Sequence, residues 1–167
     1  MSDQCRDGAP KNPIPNARFS NIARQHFNAL TIMRCYFASH AQCASFAWEA
    51  GMDVAIAAFG KSDGPSVAWA CMDTVRAMRL CRTNVFQFKN PFCPCCQQQL
   101  TQHEGYMLDC LEAAEAANKS KLRIAAMLLC EGNNDDPFVQ SVFDLDGTLF
   151  HRSPDKHAVG QVKLASI

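Results

Sequence analysis

Thr101-Gln-His-Glu-Gly-Tyr-Met-Leu-Asp-Cys-Leu-Glu-Ala-Ala-Glu115 opens with a threonine followed three residues later by a glutamate. That spacing is a capping box. The threonine hydroxyl accepts a hydrogen bond from the glutamate N–H, the carboxylate accepts one from the threonine N–H, and two amides at a helix start are satisfied. Behind the box, Tyr106, Met107, Cys110, Leu111 and Ala114 recur mostly at intervals of three and four, as one face of a helix requires. Asn118 to Ser120 interrupts the pattern. Lys121 to Glu131 then resumes it through Leu122, Ile124, Ala125, Met127, Leu128 and Leu129, and Gly132 supplies a stop. Two helices joined by so short a break fold back on each other, which predicts a mainly helical domain.

The rest of the chain fits around this pair. Residues 1–17, with Pro10, Pro13 and Pro15, read as a poorly ordered N-terminal arm, and residues 18–167 as a single globular domain. A helix is predicted from Arg18 to Ala38 through Phe19, Ile22, Ala23, Phe27, Leu30 and Met33. Ala41 to Ala50 and Met52 to Phe59 predict two short buried helices broken at Gly51, followed by a loop from Gly60 to Pro65. An amphipathic helix follows from Pro65 to Arg82 through Val67, Cys71, Val75 and Met78. Asn84 to Lys89 is short enough for a strand or an extended lead-in. Past Pro137 the apolar runs Phe138 to Leu145 and Thr148 to His151 flank Asp146-Gly147, a hairpin signal, and Ala158 to Ile167 can add a third strand. The predicted fold is mainly α: a compact bundle of about five or six helices over residues 18–131, with a small C-terminal β-hairpin or three-stranded β element over residues 138–167.

Composition agrees with a globular chain. Of 167 residues, 48% are hydrophobic and 19% charged, a balance unlike that of disordered or fibrous sequences. The stretch from Cys35 to Trp48 carries no formal charge but is too short and too polar for a bilayer span, which needs about 20 apolar residues. The first 16 residues hold no uninterrupted apolar run of the signal-peptide kind, so a cytoplasmic location is expected. In a reducing compartment ten cysteines are thiols rather than disulfides. Cys35, Cys43, Cys71, Cys110 and Cys130 lie among Ala, Met, Leu and Phe, where a thiol acts as a small buried hydrophobe. The net charge is zero, but residues 1–90 carry +4 and residues 91–167 carry −4.

Pro91-Phe-Cys-Pro-Cys-Cys96 places Cys93 and Cys96 at the two-residue spacing of a metal knuckle. A tight turn brings two thiolates within reach of one zinc, which takes four ligands. His103, in the first turn of the capped helix, is the expected third ligand, and Cys95, Cys81 or a residue from elsewhere in the fold the fourth. His103 and Cys110 cannot both serve, because seven residues of helix separate them by about 10 Å. The same thiols allow a redox reading, since Cys93 and Cys96 precede a helix start. Arg76, Arg79 and Arg82 line one helix face and run with Lys89 towards the cluster, a row that fits either a solvated face or a phosphate-binding one.

Val142-Phe-Asp-Leu-Asp-Gly-Thr-Leu149 is similar to the first motif of the haloacid dehalogenase-like phosphatases. That resemblance implies a strand delivering Asp144 as nucleophile, Asp146 as acid and base, and magnesium between them. It covers eight residues, and 18 follow Leu149, where the family places its remaining groups on later strands. A hairpin turn explains the same residues with fewer assumptions. The functional expectation is therefore a small intracellular interaction or regulatory protein, partnered by another protein and stabilised by zinc at the knuckle. The alternatives are a phosphoryl-transfer enzyme using Asp144 and Asp146, a thiol-redox protein using Cys93 and Cys96, and a nucleic-acid-binding regulator.

Overall fold

The computed structural model describes residues 22–42 and 46–150. Six helices follow in order: α1 (Arg24–Ala41), α2 (Ala47–Cys81), α3 (Pro94–Gln97), α4 (Gln102–Glu115), α5 (Lys119–Leu129) and α6 (Asp136–Phe150). Among the described residues there is no strand, so the mainly α expectation holds. The expected arm at 1–17 and the expected third strand at 158–167 lie outside the described residues, as do Arg18 to Asn21 at the start of the first predicted helix.

Helix α1 buries Ala29, Leu30, Ile32, Met33, Cys35, Tyr36 and Phe37, a face wide enough to lie along α2 and also touch α4. Helix α2 is two arms that meet at Gly60, whose φ of +85° and ψ of 168° lie in a region essentially restricted to glycine. A Cβ on Gly64 would come within 2.7 Å of the Ile56 Cα and 2.9 Å of the Ala55 carbonyl carbon. In an unbroken helix those eight residues would span about 12 Å, so the chain doubles back and the arms touch through their backbones. Pro65 is the fifth residue after the break and lies inside the second arm, where it has no N–H to donate to the Lys61 carbonyl. The predicted Gly60–Pro65 loop thus shrinks to a one-residue break. The predicted break at Gly51 does not form, because Gly51 lies within the first arm with Cys35 packed against it.

The capping box forms as its letters require: Glu104 N–H donates to Thr101 Oγ1 at 3.1 Å and Thr101 N–H donates to Glu104 Oε2 at 2.7 Å. Asn118 caps α5 by accepting from Lys121 N–H at 2.9 Å, and Glu131 and Gly132 end it at φ of 60° and 75°. Helix α4 packs on α5, while α6 packs on α2 and α4. The core runs between these layers through Leu30, Met33, Val75, Met78, Met107, Leu111, Leu129, Phe138, Val142 and Leu145.

The β-hairpin expected from Phe138 to His151 is corrected, because residues 136–150 are the helix α6. Phe138, Val139, Val142, Leu145, Asp146 and Leu149 are its buried residues, spaced at helical intervals rather than alternating. Pro137 stands in the first turn, where helices tolerate it. Gly147 is not among the positive-φ glycines, so Asp146-Gly147 makes no primed turn.

Cys35, Cys71, Cys110 and Cys130 are buried as thiols, and Cys81 joins them, while Cys43 lies outside the described residues. Burial raises the Cys35 thiol to about 11 and pushes those of Cys71, Cys110 and Cys130 higher still. No helix of the described residues is long and apolar enough to cross a membrane.

Candidate metal centre

The connection from α2 to α4 carries the sulfur cluster, and its local geometry follows from its prolines and Asn90. Phe92 N–H donates to Asn90 Oδ1 at 2.9 Å and Cys93 N–H to the Asn90 carbonyl at 3.4 Å, closing a turn around Pro91. Pro94 opens α3, where it needs no amide partner. The Cys93 carbonyl accepts from Cys96 N–H and Gln97 N–H, both at 3.0 Å. Cys93 therefore stands at the start of a single helical turn, with Cys95 and Cys96 on it.

That placement gathers three sulfurs. Sγ of Cys93, Cys95 and Cys96 all lie within 4.8 Å of one another. Cys93 Sγ and Cys95 Sγ stand 2.9 Å apart. Cys95 is exposed, and Cys93 and Cys96 are half-buried. Ligand atoms around one zinc are ~4 Å apart, so the cluster can hold a soft metal ion.

What fixes the loop is a buried ion pair. Arg34 on α1 and Glu104 on α4 have no exposed side-chain surface, and Arg34 Nε donates to Glu104 Oε1 at 2.7 Å. Arg34 Nη1 donates to the Gln97 carbonyl at 3.0 Å and Nη2 to the Gln99 carbonyl at 2.6 Å, holding the chain that leaves α3. Glu104 Oε1 also accepts from Lys89 N–H at 3.0 Å, holding the chain that enters the turn. Thr101 Oγ1 donates to the Gln87 carbonyl at 2.7 Å, and Gln97 Nε2 donates to the Pro91 carbonyl at 2.5 Å. Two charges buried together are tolerated when hydrogen bonds satisfy their remaining donors and acceptors. Here those bonds go to the backbone on both sides of the sulfurs.

The structure does not bring His103 to the sulfurs. Its Nδ1 accepts from Gln87 N–H at 2.9 Å, and its ring lies against Phe86 at 5.4 Å between centroids. Burial lowers its pKa, and the Arg82 charge pushes the same way. The Thr101–Gln87 bond turns the first turn of α4 towards residues 86–88, and His103 follows. The Cys95 sulfur lies within 4.8 Å of those of Cys93 and Cys96. Cys81 stays buried at the end of α2, donating to the Met78 carbonyl at 3.0 Å beside the thiol of Cys130.

The arginine row divides. Arg76 and Arg79 are exposed on α2. Arg82 is tied into the fold by Glu131 at 2.8 Å, the Leu129 carbonyl, and the Phe86 ring 5.8 Å beneath its guanidinium. Lys89 is half-buried, with its N–H on Glu104.

Asp144 and Asp146 lie on α6 rather than on the strand that the phosphatase resemblance implies. Two residues apart on a helix, they face different sides. Asp144 is exposed, accepts from Gln140 Nε2 at 2.9 Å, and lines a groove with Trp69 and Asp73. Asp146 is buried, and its charge bears on His26.

Arg34 organises the site, although no local motif marks it. The signal available was its position among Ile32, Met33, Cys35, Tyr36 and Phe37, a charge on an otherwise apolar face. Comparison with protein-family models, with curated proteins and with solved structures finds no match to this chain.

Proposed function

We propose that this chain is an intracellular interaction or regulatory protein whose binding loop is cross-linked by one zinc ion on the thiolates of Cys93, Cys95 and Cys96. The observation that carries the reading is the gathering of the three sulfurs within 4.8 Å on a loop pinned from both sides by Arg34 and Glu104. Metal binding requires deprotonated thiols, so affinity falls as pH falls. Support for an interaction role comes from the same loop. It exposes Val85 and Phe92, and a cleft of about 260 Å³ lies between residues 88–92 and the end of α1. A bound ion would stiffen the part of the surface that carries these apolar groups. The reading expects about one equivalent of zinc in protein purified without added metal, lost when Cys93 and Cys96 are both changed to Ser. Zinc-free protein with an unchanged fold and unchanged unfolding profile would count against it.

A further inference from the structure

Within the cluster, Cys93 Sγ and Cys95 Sγ stand 2.9 Å apart. A disulfide needs about 2.05 Å, so closing the bond asks for a movement of under ~1 Å between two sulfurs already in contact. Cys95 is exposed at the surface, with half-buried Cys93 behind it. We propose that Cys93 and Cys95 are a reversible dithiol–disulfide pair, oxidised by a small-molecule disulfide of the glutathione type.

The exchange runs in two displacements. The exposed Cys95 thiolate attacks one sulfur of the small disulfide, forming a mixed disulfide and releasing one thiolate. Cys93, deprotonated, then attacks the Cys95 sulfur, forms the intramolecular bond and releases the second. Two S–H bonds are lost and one S–S bond is formed in the protein. The two electrons reduce the small disulfide to two thiols, which take up the two protons. Selectivity has a separate cause. Cys35, Cys71, Cys81, Cys110 and Cys130 are buried, and desolvation keeps them as thiols, which are poor nucleophiles and out of reach of the oxidant. One consequence rests on the zinc reading above: oxidation withdraws two of the three sulfur ligands and releases the ion.

The test uses the full chain freed of metal with a chelator and equilibrated in glutathione buffers of increasing disulfide content. After quenching with an alkylating agent, the cysteines are mapped by mass spectrometry. The expected result is one intramolecular bond, with Cys93 and Cys95 protected together, Cys96 alkylated, and full reversal by reduced glutathione. Cys96→Ser should form the bond with a midpoint within about twofold of the parent. Cys93→Ser and Cys95→Ser should stop at a glutathione adduct. A first bond between Cys93 and Cys96 or between Cys81 and Cys130, or no intramolecular bond at all, overturns the inference. Protein that forms the Cys93–Cys95 bond but never binds zinc refutes the metal reading alone. Protein that binds zinc on these sulfurs but never forms the bond refutes this inference alone.

Discussion

Arg34 has no exposed surface, and its guanidinium reaches one carboxylate and two carbonyls on the far side of the core. Removing it would leave the Glu104 carboxylate buried without its cation and two carbonyls without donors. Breaking a buried pair in this way costs about 3–5 kcal/mol. Arg34→Met, which keeps most of the volume, should lower unfolding stability by that order in urea titration, and should also speed reaction of Cys93 and Cys96 with a thiol reagent under native conditions. A loss below about 1 kcal/mol, within the range of an exposed pair, would contradict the role given to it. His26 supplies a pH test. It is buried, and neither ring nitrogen has a hydrogen-bond partner among the described residues. Burial lowers its pKa from 6.5; Glu115, 3.6 Å away, offsets this in part, with smaller help from Glu112 and Asp146. The unfolded chain therefore binds the proton first as pH falls. His26 thus contributes stability that is present above about pH 6.5 and is lost as pH drops through that value towards the folded pKa. His40 and His103 are shifted in the same direction. His26→Gln should flatten, without abolishing, the fall in urea midpoint between pH 7 and pH 5; an unchanged slope would exclude His26 as a source.

At the scale of elements, α6 shows where local letters mislead. Asp146-Gly147 between apolar residues carries strong turn chemistry, but Phe138, Val142, Leu145 and Leu149 gain more by facing the α2 and α4 surfaces together, and tertiary burial overrides the turn. Gly147 then sits in a helix interior with open space where a Cβ would go. Gly147→Ala should stabilise the protein by about 0.5–1 kcal/mol, whereas in a primed hairpin turn the same change would destabilise it. Gly64 is the opposite case. Its added Cβ would meet the backbone of Ile56 at 2.7–2.8 Å. Gly64→Ala should therefore cost about 1–3 kcal/mol, the range for overpacking a closed contact. Thermal or urea unfolding of the two variants, read side by side, checks both signs. The capped pair α4 and α5 was legible in advance because its signals are local: a Thr–Glu box, an Asn cap, a glycine stop. The break at Gly60 was visible as a loop, though not as a one-residue reversal, which depends on how closely Gly64 can approach Ile56.

For the whole molecule, the sulfur cluster was legible only in part. The Cys-Pro-Cys-Cys letters announce a knuckle, and the buried cysteines announce themselves by their apolar neighbours. Which groups converge is a tertiary matter. Arg34 and Glu104 stand 70 positions apart, and no local pattern links them. His103, close in sequence, is drawn away by Gln87. On the proposed function, Cys93, Cys95 and Cys96 together ligate one metal ion. X-ray absorption at the zinc edge on the purified chain addresses it directly. The prediction is a first shell dominated by sulfur at about 2.3 Å, with three sulfur scatterers from the wild type and fewer from Cys95→Ser. A first shell of oxygen and nitrogen alone, or an unchanged sulfur count in Cys95→Ser, would contradict it.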